Sequence, residues 1–139
     1  MKALLKAVRA SLKADVPLGA LVTGGIFAGQ ASRSATMPYL EWNHVGGIRP
    51  GYNTGQRQIE QQILRFRTFA ESSITAADAA EEIEKLLVGT LPTLDSGTTM
   101  QILKDSDALE LDPDLTTAGE EVWVSTLQLT AMVDRNPFT

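Results

Sequence analysis

The stretch that decides the fold is residues 120–134, EEVWVSTLQLTAMVD. Its side chains alternate over fifteen residues: one face carries Trp123, Ser125, Leu127, Leu129, Ala131 and Val133, and the other carries Val122, Val124, Thr126, Gln128 and Thr130. This period of two is typical of a β-strand with one buried face. The length predicts a strand that needs an equally long neighbour.

Residues 56–70, QRQIEQQILRFRTFA, supply that neighbour. Leu64, Phe66 and Thr68 share one side, and Arg65 and Arg67 lie on the other with Ile63 and Phe69. The second side mixes apolar and basic residues, which predicts that another element partly covers it. We expect these two long strands to pair.

Two amphipathic helices are predicted. In residues 2–14 the apolar side chains of Leu5, Val8 and Leu12 recur at helical spacing, opposite a basic face of three lysines and Arg9. A second helix is expected over residues 75–88, because Thr75 and Asp78 fit a capping box and Gly89 follows the last apolar turn. Between the helices, Pro17 and Gly19 predict a short turn.

The remaining segments predict shorter strands and long polar connections. Strands are expected at residues 25–29, 39–45 and 98–103, with a glycine-rich loop at 46–55 and an acidic, hairpin-like excursion at 104–121. The fold class is therefore α+β: a mostly antiparallel β-sheet with two amphipathic helices packed on one face. Residues 1–139 are expected to form a single domain.

Composition excludes several classes of protein. The 139 residues contain no cysteine, so no disulfide can form, and the formal charge is −5. That charge is unevenly distributed: residues 1–69 hold nine basic and three acidic side chains (+6), and residues 70–139 hold three basic and fourteen acidic ones (−11). No apolar run is long enough to span a bilayer, and charges interrupt the first 22 residues, so we expect no membrane segment and a cytosolic origin.

Catalytic and metal-binding patterns are weak. The single histidine, His44, has no clustered ligands in the sequence, and we expect it to be structural. Asp105 and Asp107 begin like a calcium loop, but Glu110 replaces the glycine expected at the sixth position and Thr116 the glutamate at the twelfth. We predict no cofactor, no metal and no enzymatic activity.

Two other function classes stay open at this point. One is a small ligand-binding or enzymatic α+β domain, in which His44 or Arg65 would be needed. The other is binding of single-stranded nucleic acid by aromatic residues interleaved with Arg65 and Arg67. The acidic balance and the absence of a lysine or arginine run argue against sequence-specific nucleic-acid binding. Contact with other protein chains is the favoured function, because opposite charges in the two halves suit a self-complementary assembly.

The order of residues along the chain resembles the tail completion or tail terminator family of long-tailed bacteriophages. The resemblance rests on a series of short segments: Leu12-Lys13-Ala14-Asp15, Gly25-Ile26-Phe27, Met37-Pro38-Tyr39-Leu40, an Ala-rich helix with Ile83 and Leu87, and the Asp112-Pro113-Asp114 turn before the last strand. It implies a virion structural protein, assembled in the host cytoplasm as a ring, commonly a hexamer. The ring would end the tail tube, meet the head-tail connector and leave DNA free to pass. The alternative is that the chain is a head-tail connector protein of the neck.

Candidate interface residues follow from the composition of the two polar excursions and the basic strand. These residues are Arg49, Tyr52, Arg57, Arg65, Arg67, Asp105, Asp107, Asp112 and Asp114.

Overall fold

A five-stranded sheet forms the body of the protein in the computed structural model, which describes residues 2–32, 34–48, 59–94, 98–113, 116 and 120–134. The strands are β1 (Ile26–Ala28), β2 (Tyr39–Ile48), β3 (Ile59–Ala70), β4 (Thr98–Leu111) and β5 (Trp123–Asp134). Their order in the sheet is β1-β2-β3-β5-β4. Neighbours are antiparallel except β1 and β2, which are parallel. The predicted α+β class is confirmed.

The two long strands pair as expected. β3 and β5 are antiparallel along their whole lengths, from Ile59 opposite Asp134 to Ala70 opposite Trp123. Alternate residues of both strands are buried, so a shift by one residue would expose the apolar set, which fixes the register.

Three helices are present among the described residues: α1 (Lys2–Ala14), α2 (Val16–Leu21) and α3 (Ser73–Leu87). α1 has the predicted bounds. The turn predicted at Pro17 and Gly19 is wrong, because these residues belong to α2. The Asp15 side chain accepts a hydrogen bond from the Leu18 amide at 3.1 Å, and Pro17 lies in the first turn, where its missing N–H costs nothing.

α3 begins earlier than its predicted capping box. Its N-cap is Ser72, which makes no side-chain capping hydrogen bond, so Thr75 and Asp78 lie inside the helix. The C-terminal prediction agrees with the structure, since Val88 is the C-cap and Gly89 follows it.

Two predicted loops begin later than expected. The loop predicted at 46–55 is wrong over its first residues, because β2 continues to Ile48 and pairs with β3 after a bulge between His44 and Gly46. Gly47 serves close packing rather than a turn: a Cβ there would lie 2.2 Å from the Gln62 side-chain oxygen. The rest of that loop lies outside the described residues.

The acidic excursion predicted at 104–121 is also wrong in its first part. β4 continues to Leu111, paired with β5 and interrupted by two bulges. The chain leaves the strand only at Asp112, whose amide donates to the Val122 carbonyl at 2.8 Å. β4 is an edge strand exposed along most of its length, so its sequence shows no buried alternation.

One hydrophobic cluster joins the helices to one side of the sheet, here called the helix face. It contains Leu4, Val8 and Leu12 of α1, Ile83 and Leu87 of α3, and inward residues of β2, β3, β4 and β5. The opposite side, called the open face, has a smaller cluster at one end, formed by Phe69, Val122 and Val124 with Met37 and Tyr39. None of the helices in the described chain has the length and apolar character that a membrane span requires.

Candidate interaction surfaces

The open face displays the predicted arginines. Arg65 and Arg67 are two residues apart on β3, and register places Asn43 and Glu41 beside them on β2 and Gln128 and Thr126 on β5. No helix of the described chain packs against this part of the sheet. The open face is therefore a polar surface at the centre of the sheet.

Glu41 is a buried carboxylate on the open face, with 8% of its surface exposed. It accepts a hydrogen bond from the Ala31 amide at 3.0 Å, and its other oxygen lies 3.9 Å from the Arg67 guanidinium. The Arg67 guanidinium also lies 5.5 Å from the centre of the Phe69 ring. These contacts hold the Arg67 side chain in place at the surface.

Tyr39 stacks on Phe69 beside this group, with ring centres 5.0 Å apart. Burial raises the pKa of Tyr39, and the charges of Glu41 and Asp112 raise it further, while Arg67 lowers it. The tyrosine is therefore a neutral hydrogen-bonding group at physiological pH.

The β4 side of the sheet forms an acidic edge, defined by Glu81 and Glu84 of α3 and Asp107 of β4. These carboxylates surround a groove of about 260 Å³ whose lining includes the apolar residues Leu109 and Leu127. The Lys104 ammonium lies 3.3 Å from Asp107 and 3.4 Å from Glu84. Asp107, and then Glu84, raise the pKa of Lys104, so this lysine stays charged between two carboxylates.

The opposite edge of the sheet, at β1 and β2, borders a basic groove between these strands and α1. Its volume is about 610 Å³, and its lining combines cationic with apolar residues: Lys2, Leu5, Lys6, Arg9, Ala28, Gly29, Trp42, Asn43 and His44. Trp42 stacks on Phe66 with ring centres 6.1 Å apart, which fixes the indole in the groove wall.

His44 is hydrogen bonded to a side chain of the neighbouring strand β3. Its Nε2 atom is 2.5 Å from the Gln62 side-chain oxygen, and the Gln62 amide donates to Glu60 at 3.2 Å. Glu60 and Gln62 are both buried. Over the described ranges no three histidine or acidic side chains are grouped as metal ligands would be.

The predicted interface residues fall into separate groups. Arg65 and Arg67 lie together on the open face. Asp105 lies at a β4 bulge and accepts a hydrogen bond from Thr130, so it belongs to the open face as well. Asp107 belongs to the acidic edge, and Asp112 begins the turn after β4. The other four predicted residues, Arg49, Tyr52, Arg57 and Asp114, lie outside the described residues.

The interface residues predicted from the sequence include neither those of the basic groove nor the glutamates of α3. The cations of α1 were visible as a basic helix face, but their proximity to Trp42 depends on the sheet. The sequence feature that indicates the acidic edge is the mixture of leucine and acidic residues in 103–111. Leu103, Leu109 and Leu111 are exposed by 48%, 44% and 40%.

The chain is similar to known proteins both in sequence and in fold. The family model described as "Tail completion protein gp17" matches residues 6–133. A chain in the virion of a native gene transfer agent particle has the same fold, with a TM-score of 0.73, 20% identity and 96% of both chains covered. The bacteriophage SPP1 gp17 protein aligns with a TM-score of 0.48 and 14% identity, over 91% of this chain and 88% of that one. No curated protein sequence matches the chain.

Proposed function

The chain belongs to the tail completion protein gp17 family, and from this premise we propose that it ends the tail tube of a phage-type particle as a ring. The observation that carries the proposal is the family match, which includes every described helix and strand except the ends of α1 and β5. The family makes the chain a structural protein of a phage tail. The formation of a ring, its position in the tail and its binding partners are what we propose beyond the family assignment.

The shape of the sheet supports assembly with copies of the same chain. Helices cover one face, and the strands at the two edges, β1 and β4, have no further strand beside them within the described chain. A subunit with two different free edges suits a head-to-tail contact, which closes into a ring when the rotation between subunits divides the circle. We propose a hexamer built from single domains spanning residues 1–139.

The proposed ring has partners on its two sides. The tail-tube protein would contact one side, and the head-tail connector in the neck would contact the other. DNA would pass through the opening without being recognised by sequence. The protein would be assembled in the host cytoplasm and retained in the virion.

A catalytic role is not part of the proposal. The side chain of His44 is hydrogen bonded to Gln62, and Gln62 to buried Glu60, which is the arrangement of a residue that joins two strands. This supports a structural role for the histidine.

The test uses the purified chain with the tail-tube protein of the same particle. We expect rings by negative-stain microscopy, a mass several times 15.0 kDa by light scattering, and shorter tubes when the chain is present during polymerisation. Binding to DNA-filled heads with no effect on tube length would assign the chain to the connector instead. A monomer that neither limits tubes nor binds heads would contradict both.

A further inference from the structure

The two edges of the sheet carry opposite charge. α1 lies beside β1 and contributes the cations Lys2, Lys6 and Arg9 to the basic groove, and it contains no acidic residue. α3 and β4 form the acidic edge, where Glu81, Glu84 and Asp107 surround the groove; Lys104 lies between Asp107 and Glu84, and the three carboxylates still outnumber this one cation. Three strands separate β1 from β4. With strands about 4.8 Å apart, β1 and β4 lie about 19 Å from each other, so Asp107 of β4 is not neutralised by the cations beside β1 in the same subunit.

Both edges also carry apolar side chains beside their charged ones. Leu109 and Leu111 project from β4 at exposed positions on the helix-face side of the strand, spaced two residues apart. The basic groove has Leu5, Ala28 and Trp42 in its lining. Apolar side chains at the centre and charges at the rim form the usual anatomy of a protein interface.

The directions of the two edge strands allow β4 of one copy to lie beside β1 of another copy. β1 and β2 run in one direction, and successive antiparallel pairings place β4 in the opposite direction to β1. If one sheet follows another around an axis parallel to the strands, β4 of one copy lies antiparallel to β1 of the next. Antiparallel pairs are the commoner arrangement in sheets.

Resting on the ring proposed above, we infer that the acidic edge of one copy docks into the basic groove of the next copy. The occupant of the groove is thus a second copy of this chain. Asp107 and Glu84 of one copy face the α1 cations of the other, and Leu109 is inserted toward Trp42. The contact is head-to-tail, because the two surfaces lie on opposite sides of one subunit.

The test reverses one charge on each surface. The groove variant is Arg9→Glu and the edge variant is Asp107→Lys; both side chains are exposed, so the fold should be retained. Each variant alone is expected to raise the concentration needed for assembly by at least about tenfold, because like charges then meet across the contact. Lys85→Glu and Glu71→Lys are controls with the same changes of net charge at exposed positions that line neither groove, and they should assemble as the wild type does.

Mixing the two variants gives the decisive measurement. An edge variant presents a lysine to the glutamate of a groove variant, and the native acidic edge of the groove variant meets the native groove of the edge variant. An equimolar mixture, and the double variant Arg9→Glu/Asp107→Lys by itself, should therefore recover assembly. Native mass spectrometry should show equal numbers of the two chains in each ring.

Assembly is measured by light scattering, or by tube length if the wild-type chain forms rings only on tubes. If both single variants assemble as well as the wild type, or if the mixture does not recover, the edge assignment is wrong while the proposed function stands. If the wild-type chain neither assembles nor limits tube length, the proposed function itself fails.

Discussion

Replacing Glu41 with alanine is expected to reduce the free energy of unfolding by about 2 kcal/mol. The buried carboxylate holds the segment before β2 through the Ala31 amide at 3.0 Å, and a hydrogen bond to a charged group contributes about 1.5–3 kcal/mol. The contact with Arg67 adds little, because the two charged groups are 3.9 Å apart and the arginine side chain is 48% exposed. Glu41→Gln should lose about half as much, since the amide oxygen still accepts from Ala31.

Urea unfolding followed by tryptophan fluorescence measures this series. With a slope of about 2 kcal/mol per molar urea, Glu41→Ala should lower the midpoint by about 1 M and Glu41→Gln by about 0.5 M. Arg67→Ala is the matched variant, and its shift should be the smallest of the three. A Glu41→Ala midpoint within error of the wild type, or a larger loss for Arg67→Ala, would refute the role given to the carboxylate.

Three further predictions concern stability. Thr68 is buried with no hydrogen-bond partner for its hydroxyl among the described residues, so Thr68→Val should stabilise the protein by about 1 kcal/mol, raising Tm by about 3–5 °C in calorimetry; a lower Tm would contradict this. A Cβ on Gly24 would lie 1.6 Å from the Thr36 carbonyl oxygen, so Gly24→Ala should lower the urea midpoint by the equivalent of about 3 kcal/mol, and an unchanged midpoint would show that the loop can move. A hydrogen bond with Asp15, and then burial, raises the pKa of Glu82 above 4.5, so this pair stabilises the fold below pH 4.5 and the contribution is lost as pH rises through the raised pKa. Glu82→Gln should therefore be about 0.3 kcal/mol more stable than the wild type at pH 7 and no more stable at pH 3.5. Equal unfolding curves at pH 7 would exclude this interaction between Glu82 and Asp15.

The elements that could be predicted from sequence are those with a periodic buried face. β3 and β5 alternate over most of their lengths, and α1 repeats leucine and valine at helical spacing, so burial on one side determines both type and orientation. The pairing of β3 with β5 followed from their matching lengths. Their register has few alternatives, because any odd shift would expose the core residues.

The elements that could not be predicted lack such a face. β4 lies at an edge with most of its side chains in solvent, so residues 104–111 resemble an acidic loop until their pairing with β5 is known. α2 depends on the Asp15 cap and the position of Pro17 rather than on periodicity. The end of β2 contains two glycines, and Gly47 is suited to its place only because Gln62 packs against it.

The candidate surfaces were predictable in part for the same reason. Arg65 and Arg67 share a face by simple alternation, and the structure keeps them together. Asp105 and Asp107 would share a face in a regular strand as well. The bulge between Lys104 and Ser106 separates them, leaving Asp105 at Thr130 and Asp107 at the acidic edge. A bulge in an exposed strand leaves no trace in the hydrophobic pattern.

The difference in charge between the two halves of the sequence becomes a difference across the sheet. Residues 1–69 supply α1, β1, β2 and nearly all of β3, and the later residues supply α3, β5 and β4, so the pairing of β3 with β5 is the boundary between them. A two-fold contact between equivalent edges would place like charges together. A head-to-tail contact instead places the basic half of one copy against the acidic half of the next. The charge pattern therefore supports the proposed head-to-tail contact over a two-fold contact between equivalent edges.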